Sequence, residues 1–412
     1  MPGRGGNKLG GVFRARSVGL LLAATVAATL AIASTASARD PGRWVLTGAS
    51  SVPQNYWQGL TNTPDTSNIF FIGPAQGLWQ TDPQLVQTAG VDKEIPTDLR
   101  HSVGYNHIGD PTWLGGEGGR IVLPMECFNP SANPTNTCGR GAFGIADAQT
   151  LAFRYYVQLD PKFIPKAMWA ETSPDGKLIW TSAGDDLIAY RASQVSQANA
   201  APSGPELKPT KRLKDAVPPT GITGAVFRKN RLLLAGESNR TYEVWSVDTK
   251  TGDPKLQIEM HICGESEGLG LFSTLGGRLH WLIAPSDSSG CELTFGPESG
   301  LMHLRRSPGH DRFRVKILRV REQVDYGSEA RQVEVTLRVT RHGGRPVRGA
   351  HARFANAGDL TNTHGKATVS TTLDRSGWFA AFARKGDRYG TSRLFNVGVT
   401  QSTAPARRAS RG

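Results

Sequence analysis

The stretch GYNHIGDPTWLGGEGGRIVLPMEC, Gly104 to Cys127, carries His107, Asp110, Glu117 and Glu126 close together. These are side chains that ligate hard cations or exchange protons with bound water. Further acids stand at the edges of short apolar runs downstream: Glu171, Glu237, Glu265 and Glu267. Brought together, Asp110, Glu126, Glu171 and Glu267 would form an oxygen cage suited to calcium. His107, with Asp110 beside it, would then act as a general base on bound water. Carboxylates crowded on one axis repel, so some of their pKa values rise unless a cation neutralises them. The competing expectation is a polar, water-filled channel whose acids bond to backbone. Asp110-Pro111 and Glu117-Gly118 are also ordinary turn pairs. No P-loop, dinucleotide fingerprint, HExxH or EF-hand loop is present. GESEG (264–268) puts Ser266 in the nucleophile position of G-x-S-x-G, an elbow that works only between a strand and a helix. Its flanks are of β type, so no nucleophilic role is expected.

Whether these residues meet depends on the elements that carry them, and those elements repeat. WQGLTNTPDTSNIFFIG (57–73), NHIGDPTWLGGEGGRIVLPME (106–126), MWAETSPDGKLIWTSAG (168–184), GITGAVFRKNRLLLAGES (221–238) and SEGLGLFSTLGGRLHWLIAP (266–285) share one layout. Each has a small or polar start, a Gly, Asp or Asn turn, and then an apolar strand. The anchors Gly59, Ile108, Ala170, Thr223 and Gly268 lie 49, 62, 53 and 45 residues apart. A second hairpin follows several of them, as in 141–159 and 241–260, which supplies four strands per repeat. Helical periodicity is nearly absent. The chain is therefore expected to be all-β, with residues 40–306 forming a five-bladed β-propeller. A sixth blade would require Gln84 to Leu99 to be a degenerate repeat, and RWVLTGA (43–49) is expected to close the ring against the last blade. Inner strands line a propeller's central channel, which puts the candidate acids around one axis. Trp57, Trp79, Trp113, Trp169, Trp180, Trp245 and Trp281 are spread over the repeats and are expected mainly between blades, with one or two free to stack on sugars.

The strand starts QGL (58–60) and SEGL (266–269) resemble the glutamate-glycine-leucine opening of inner strands in exported six-bladed propellers of the gluconolactonase, strictosidine-synthase and phytase-like groups. That resemblance implies acidic and amide side chains converging on a channel calcium in the hydrolytic members. Gln58 in place of the acid, and ITGA (222–225) with no acid, depart from the pattern.

After Arg305 the composition changes. The segment to the C-terminus holds 22 Lys/Arg against 8 Asp/Glu, whereas 40–304 holds 21 against 27. Two modules with different surfaces are implied. VEVTLRVT (333–340) alternates with period two, and Gly-rich turns separate short strands, which indicates a small β-sandwich over 312–399. Gly344, Pro346, Val347, Gly349 and Ala350, then Gly365-Lys366-Ala367 and Gly377-Trp378-Phe379, resemble bacterial Ig-like domains of the invasin and carboxypeptidase-regulatory-like types. Such a domain implies a spacer or tether without chemistry of its own. Arg305, Arg306, Arg312, Arg314, Lys316, Arg319 and Arg321 offer a basic surface for anionic envelope polymers or lipid headgroups; nucleic acid is not expected. Residues 400–412 read as a disordered tail.

Residues 1–38 combine a basic start, an apolar run (17–33) and an Ala-Ser-Ala site, the pattern of a cleaved signal peptide. The mature protein is expected outside the cell or at its surface. Cys127, Cys138, Cys263 and Cys291 then suggest two disulfides; three pairings are open, and local pairing closes the shortest loops. The functional expectation is recognition of a glycan, peptide or envelope polymer by the propeller. A calcium-dependent hydrolase of the lactonase, esterase or phosphoesterase type is the alternative.

Overall fold

The computed structural model describes residues 43–397 except 74–75, 117, 239–240, 262–263, 286–297, 308–309, 312, 325–330 and 374–376. The leader, the C-terminal tail, Glu117, Arg312, Cys263 and Cys291 lie outside the described residues.

Five blades are present. Blade one is Gly59–Asn62, Ile69–Ile72, Leu78–Thr81 and Gln87–Val91. Blade two has a split inner edge, His107–Ile108 and Thr112–Leu114, both pairing with Arg120–Glu126, followed by Ala142–Asp147 and Phe153–Gln158. Blade three is Glu171–Thr172, Leu178–Ala183, Asp186–Arg191 and Lys211–Leu213. Blade four is Gly221–Arg228, Arg231–Ser238, Thr241–Asp248 and Pro254–His261. Blade five, Glu265–Gly270, Leu279–Ala284 and Ser299–Ser307, receives its fourth strand from the other end of the ring, Arg43–Val52. The expected closure by 43–49 is therefore present. Residues 84–99 make the outer strand of blade one and the start of a short helix, Thr97–Ser102, so there is no sixth blade among the described residues.

Second strands read as unbroken apolar runs because neighbouring blades cover both their faces. IFFI (69–72) and LHWLIA (279–284) are buried at every position. Trp180 of blade three packs with Ile222 and Leu234 of blade four, and Trp281 of blade five with Leu233 and Tyr242 of blade four. Each such side chain contributes about 1.5–3 kcal/mol by leaving water. Trp169, Trp180 and Trp281 are wholly buried, as expected of wedges between blades.

The C-terminal module is two sheets on one apolar core. Phe313–Val324, Arg331–Arg341 and Lys366–Leu373 form the first. His351–Phe354, Ala357–Leu360, Phe382–Lys385, Arg388–Thr391 and His310–Asp311 form the second. The alternation of Arg331–Arg341 turns Val333, Val335, Leu337 and Val339 inward onto Ala352, Phe354 and Ala383. Arg314, Lys316, Arg319 and Arg321 face solvent on the adjoining strand. Gly377–Phe379 leaves this module and adds to the sheet of blade five beside Gly48–Ser50, with Phe395–Val397 beyond it. The sequence pattern had kept that strand with the sandwich. Among the described residues no helix is long and apolar enough to cross a membrane.

Candidate functional site

The five inner strands converge so closely that the axis holds one side chain, Asp110. Its Oδ1 accepts the Leu60 N–H of blade one and its Oδ2 the Ala225 N–H of blade four, each at 2.9 Å. The N–H of Leu269 in blade five also bonds to this carboxylate. The Asp110 backbone N–H donates to Met168 O, and its carbonyl accepts from Ala170 N–H, both at 3.0 Å and both ahead of blade three. One residue of blade two is thus bonded to all four other blades. Glycine makes the approach possible: a Cβ on Gly268 would stand 2.3 Å from Asp110 Oδ1, and one on Gly109 1.8 Å from Met168 O. Burial pushes the Asp110 carboxyl well above its usual range, and the backbone N–H groups pull it back.

This plug divides the axis. Where the inner strands begin lies a mouth to which the blades contribute polar side chains: Gln58, His107, Lys166, Glu237, Glu265 and Glu267. Glu265 and Glu267 are two residues apart on one strand, whose register shifts between Ser266 and Leu269. Glu237 ends the second strand of blade four, where its Oε2 accepts the Ser266 N–H at 2.9 Å. Glu126 ends the second strand of blade two in the corresponding place, opposite His107. Glu267 is buried, with Gln58 Nε2 donating to it at a long 3.4 Å. Burial raises its carboxyl well above the ordinary range, and the charges of Glu265, Asp110 and Glu237 add to this. The Glu265 side chain reaches the rim, yet the surrounding protein desolvates it and Glu237 repels it, so it too is raised; His107 and Lys166 oppose that shift. The mouth is consequently acidic on blades four and five, with His107 and Lys166 on the side of blades two and three.

Glu126 is wholly buried beside His107 and Lys166. His107 Nδ1 stands 2.9 Å from its Oε1 and Lys166 Nζ 3.5 Å from its Oε2, but neither contact has hydrogen-bond alignment. Phe128, part exposed, lies 5.2 Å from the His107 ring, and reciprocal bonds between Asn106 and Phe128 hold the two loops together. The Cys127–Cys138 disulfide closes the loop that carries Phe128. Local pairing therefore holds for this cysteine pair.

On the far side of the plug, Glu171 accepts the Phe227 N–H at 2.7 Å and the Thr112 hydroxyl at 2.9 Å. Burial lifts its carboxyl to about 7. Asp110, Glu126, Glu171 and Glu267, the carboxylates considered for a cation cage, thus occupy three levels: Glu126 and Glu267 at the mouth, Asp110 in the plug, Glu171 beyond it. Among the described residues no three His, Cys, Asp or Glu side chains form a group able to hold a metal ion. Ser266 lies inside a strand, its hydroxyl between the Trp281 indole N–H and Thr223. Sequence reasoning missed Lys166, which sits in an irregular connection ahead of blade three and carries no repeat signal.

No protein-family model matches the chain, and no curated protein does. Solved structures are similar in fold alone. Glutaminyl cyclase of Myxococcus xanthus aligns over 65% of this chain and 97% of its own at 10% identity, with a TM-score of 0.41. Aldose sugar dehydrogenase of Streptomyces coelicolor, in its PQQ-bound form, aligns over 64% and 99% at 10% identity and a TM-score of 0.32. The WD40 repeats of RRP9 align over 64% and 98% at 10% identity and a TM-score of 0.34. Enzymes and a WD40 protein stand side by side among them.

Proposed function

We propose that the protein is an exported binding protein whose propeller mouth recognises a glycan, peptide or envelope polymer through an amine-bearing group. The observation that carries this is the cluster of Glu237, Glu265 and Glu267 at one end of the axis, where burial and then the neighbouring carboxylates raise the carboxyls of Glu265 and Glu267. A cation placed among them would relieve the repulsion that burial alone leaves in place. The buried Glu126, with no aligned hydrogen bond, and the Phe128 ring beside His107 supply further ligand-facing chemistry on the opposite wall. The leader-like N-terminus and the disulfide support a position outside the cell, and the C-terminal module is read as an Ig-like spacer or tether.

Calorimetric titration of the purified protein with chitosan oligomers and with their N-acetylated counterparts tests this reading. Binding is expected for the amine form and should weaken tenfold or more in E237Q/E265Q. Because the carboxyls of Glu265 and Glu267 are raised, affinity should grow as pH rises through their titration, with proton release on binding. Equal affinity for both oligomers, or an unaffected double variant, would overturn it.

The same crowding favours a second reading, a calcium-dependent hydrolase in which the ion would have to draw the mouth carboxylates together, since among the described residues they form no ready-made group, and His107 would move a proton. On this reading chelator lowers the melting temperature of the purified protein, and H107A abolishes hydrolysis of lactone, ester and phosphoester substrates while leaving the melt nearly unchanged. An unchanged melt with no calcium in the protein would rule it out.

A further inference from the structure

We propose that the recess between blade five and the C-terminal module is a binding site for a phosphate group. Its volume is about 780 Å³, and its walls carry Arg305 and Arg306 from the end of a blade-five strand, with His351, Arg353 and Arg384 from the second sheet of the module. Both modules are needed to build it. The single acid on its wall, Asp359, has an oxygen engaged by the Leu360 N–H.

None of the four guanidiniums is ion-paired with a carboxylate among the described residues. Arg305 lies over the Phe382 ring, 5.7 Å from its centroid, and spends one N–H on Gly276 O at 3.3 Å. Arg384 turns one N–H to Gly386 O at 3.0 Å. The remaining donors have no protein acceptor among the described residues. Guanidinium forks that converge without counter-charge are unfavourable in the ligand-free protein, and desolvation together with Arg353, Arg278 and Arg384 lowers the Arg305 pKa accordingly. A carboxylate offers two oxygens and one charge, enough for one fork. A phosphate monoester presents three terminal oxygens and close to two charges, which better matches Arg305 together with Arg353 and Arg384. Exposed basic residues on the adjoining strand, Arg314 and Lys316, would extend the field that draws such an anion in.

The inference does not depend on the amine-binding reading of the mouth. The full-length mature protein is titrated calorimetrically with inorganic pyrophosphate at low ionic strength, and separately sedimented with phosphatidic acid or phosphatidylcholine vesicles. Saturable pyrophosphate binding, weakened at least tenfold in R353Q/R384Q and unchanged in E237Q/E265Q, is the expected result. Pyrophosphate binding without vesicle binding identifies a free phosphate as the source; retention on phosphatidic acid alone, lost in R353Q/R384Q, identifies a lipid headgroup. Both arginines are at or near the surface, and an unaltered far-ultraviolet spectrum and melt verify that the variant is folded. No binding in either arm, or binding that survives R353Q/R384Q, would overturn the proposal.

Discussion

Asp110→Ala is expected to cost several kcal/mol of folding stability, roughly 3–6, although it removes only one short side chain from the propeller. The reason is the set of partners left behind. The N–H groups of Leu60 and Ala225 point at the axis from two different blades, and Asp110 is fully buried, so water cannot replace its oxygens. Each orphaned N–H costs about 1–3 kcal/mol. The glycines that let the strands approach cannot close the gap, because Gly59 and Gly268 have no side chain to move in. Asp110→Asn should lose less, about 2–4 kcal/mol, since one amide oxygen remains while the NH2 group faces a backbone donor. Denaturant unfolding of the purified variants measures this directly. An asparagine variant as stable as the wild type would show that the axial bonds contribute nothing. Total stability of a folded domain is commonly 5–15 kcal/mol, so the alanine variant should be soluble only in part.

Lowering the pH should destabilise the protein through a buried imidazole. His280 and His303 are both fully buried, Nδ1 to Nδ1 at 2.9 Å. The Ser50 hydroxyl meets His303 Nε2 at 2.9 Å, and His280 Nε2 meets Phe272 O at 3.2 Å. One neutral arrangement satisfies the whole chain: Ser50 donates to His303, His303 to His280, and His280 to the carbonyl. A further proton on His280 would put two donors face to face. Burial accordingly holds its pKa down at about 3, against about 6.5 in an unfolded chain. The folded-state value is depressed, so the unfolded chain binds the proton first; stability is full above pH 6.5 and falls as pH drops towards 3. The slope approaches about 1.4 kcal/mol per pH unit. Glu94, raised by burial to about 8, and Glu171 act with the opposite sign above about pH 4.5, but they are common to wild type and variant. The comparison with His280→Asn therefore isolates the imidazole. The stability gap between the two proteins should narrow steadily from pH 7 to pH 4.5; parallel curves would refute the assignment.

The blades were legible because a hairpin buried on both faces needs an apolar second strand such as IFFI or LHWLIA, and that need recurs once per blade. Local disulfide pairing was legible at Cys127–Cys138 because the loop between them is short. The role of Asp110 was not. As a residue before proline it looks like turn chemistry, and nothing local tells which strands' N–H groups will face it across the ring. The same applies to the acids: Glu171 and Glu267 occupy similar places in their repeats, but a difference of a few residues in register puts them on opposite sides of the plug. Lys166 had no pattern to betray it. Gly377–Phe379 was invisible as a blade-five strand because its glycine-aromatic pattern suits either sheet, and the choice depends on Gly48 and Ser50 more than 300 residues away.

The pairing of Arg43–Val52 with Ser299–Ser307 also fixes an order of events. A ribosome delivers the first of these segments long before the second exists, so the earliest β segment of the ring must wait while four blades are made. Until then Arg43–Val52 lacks its edge partner and the growing ring stays open. Such sequence-distant pairing slows folding and leaves a sticky strand edge uncovered for longer. The piece of the propeller synthesised first is the piece that locks last, and Gly377–Phe379, arriving later still, fastens over it.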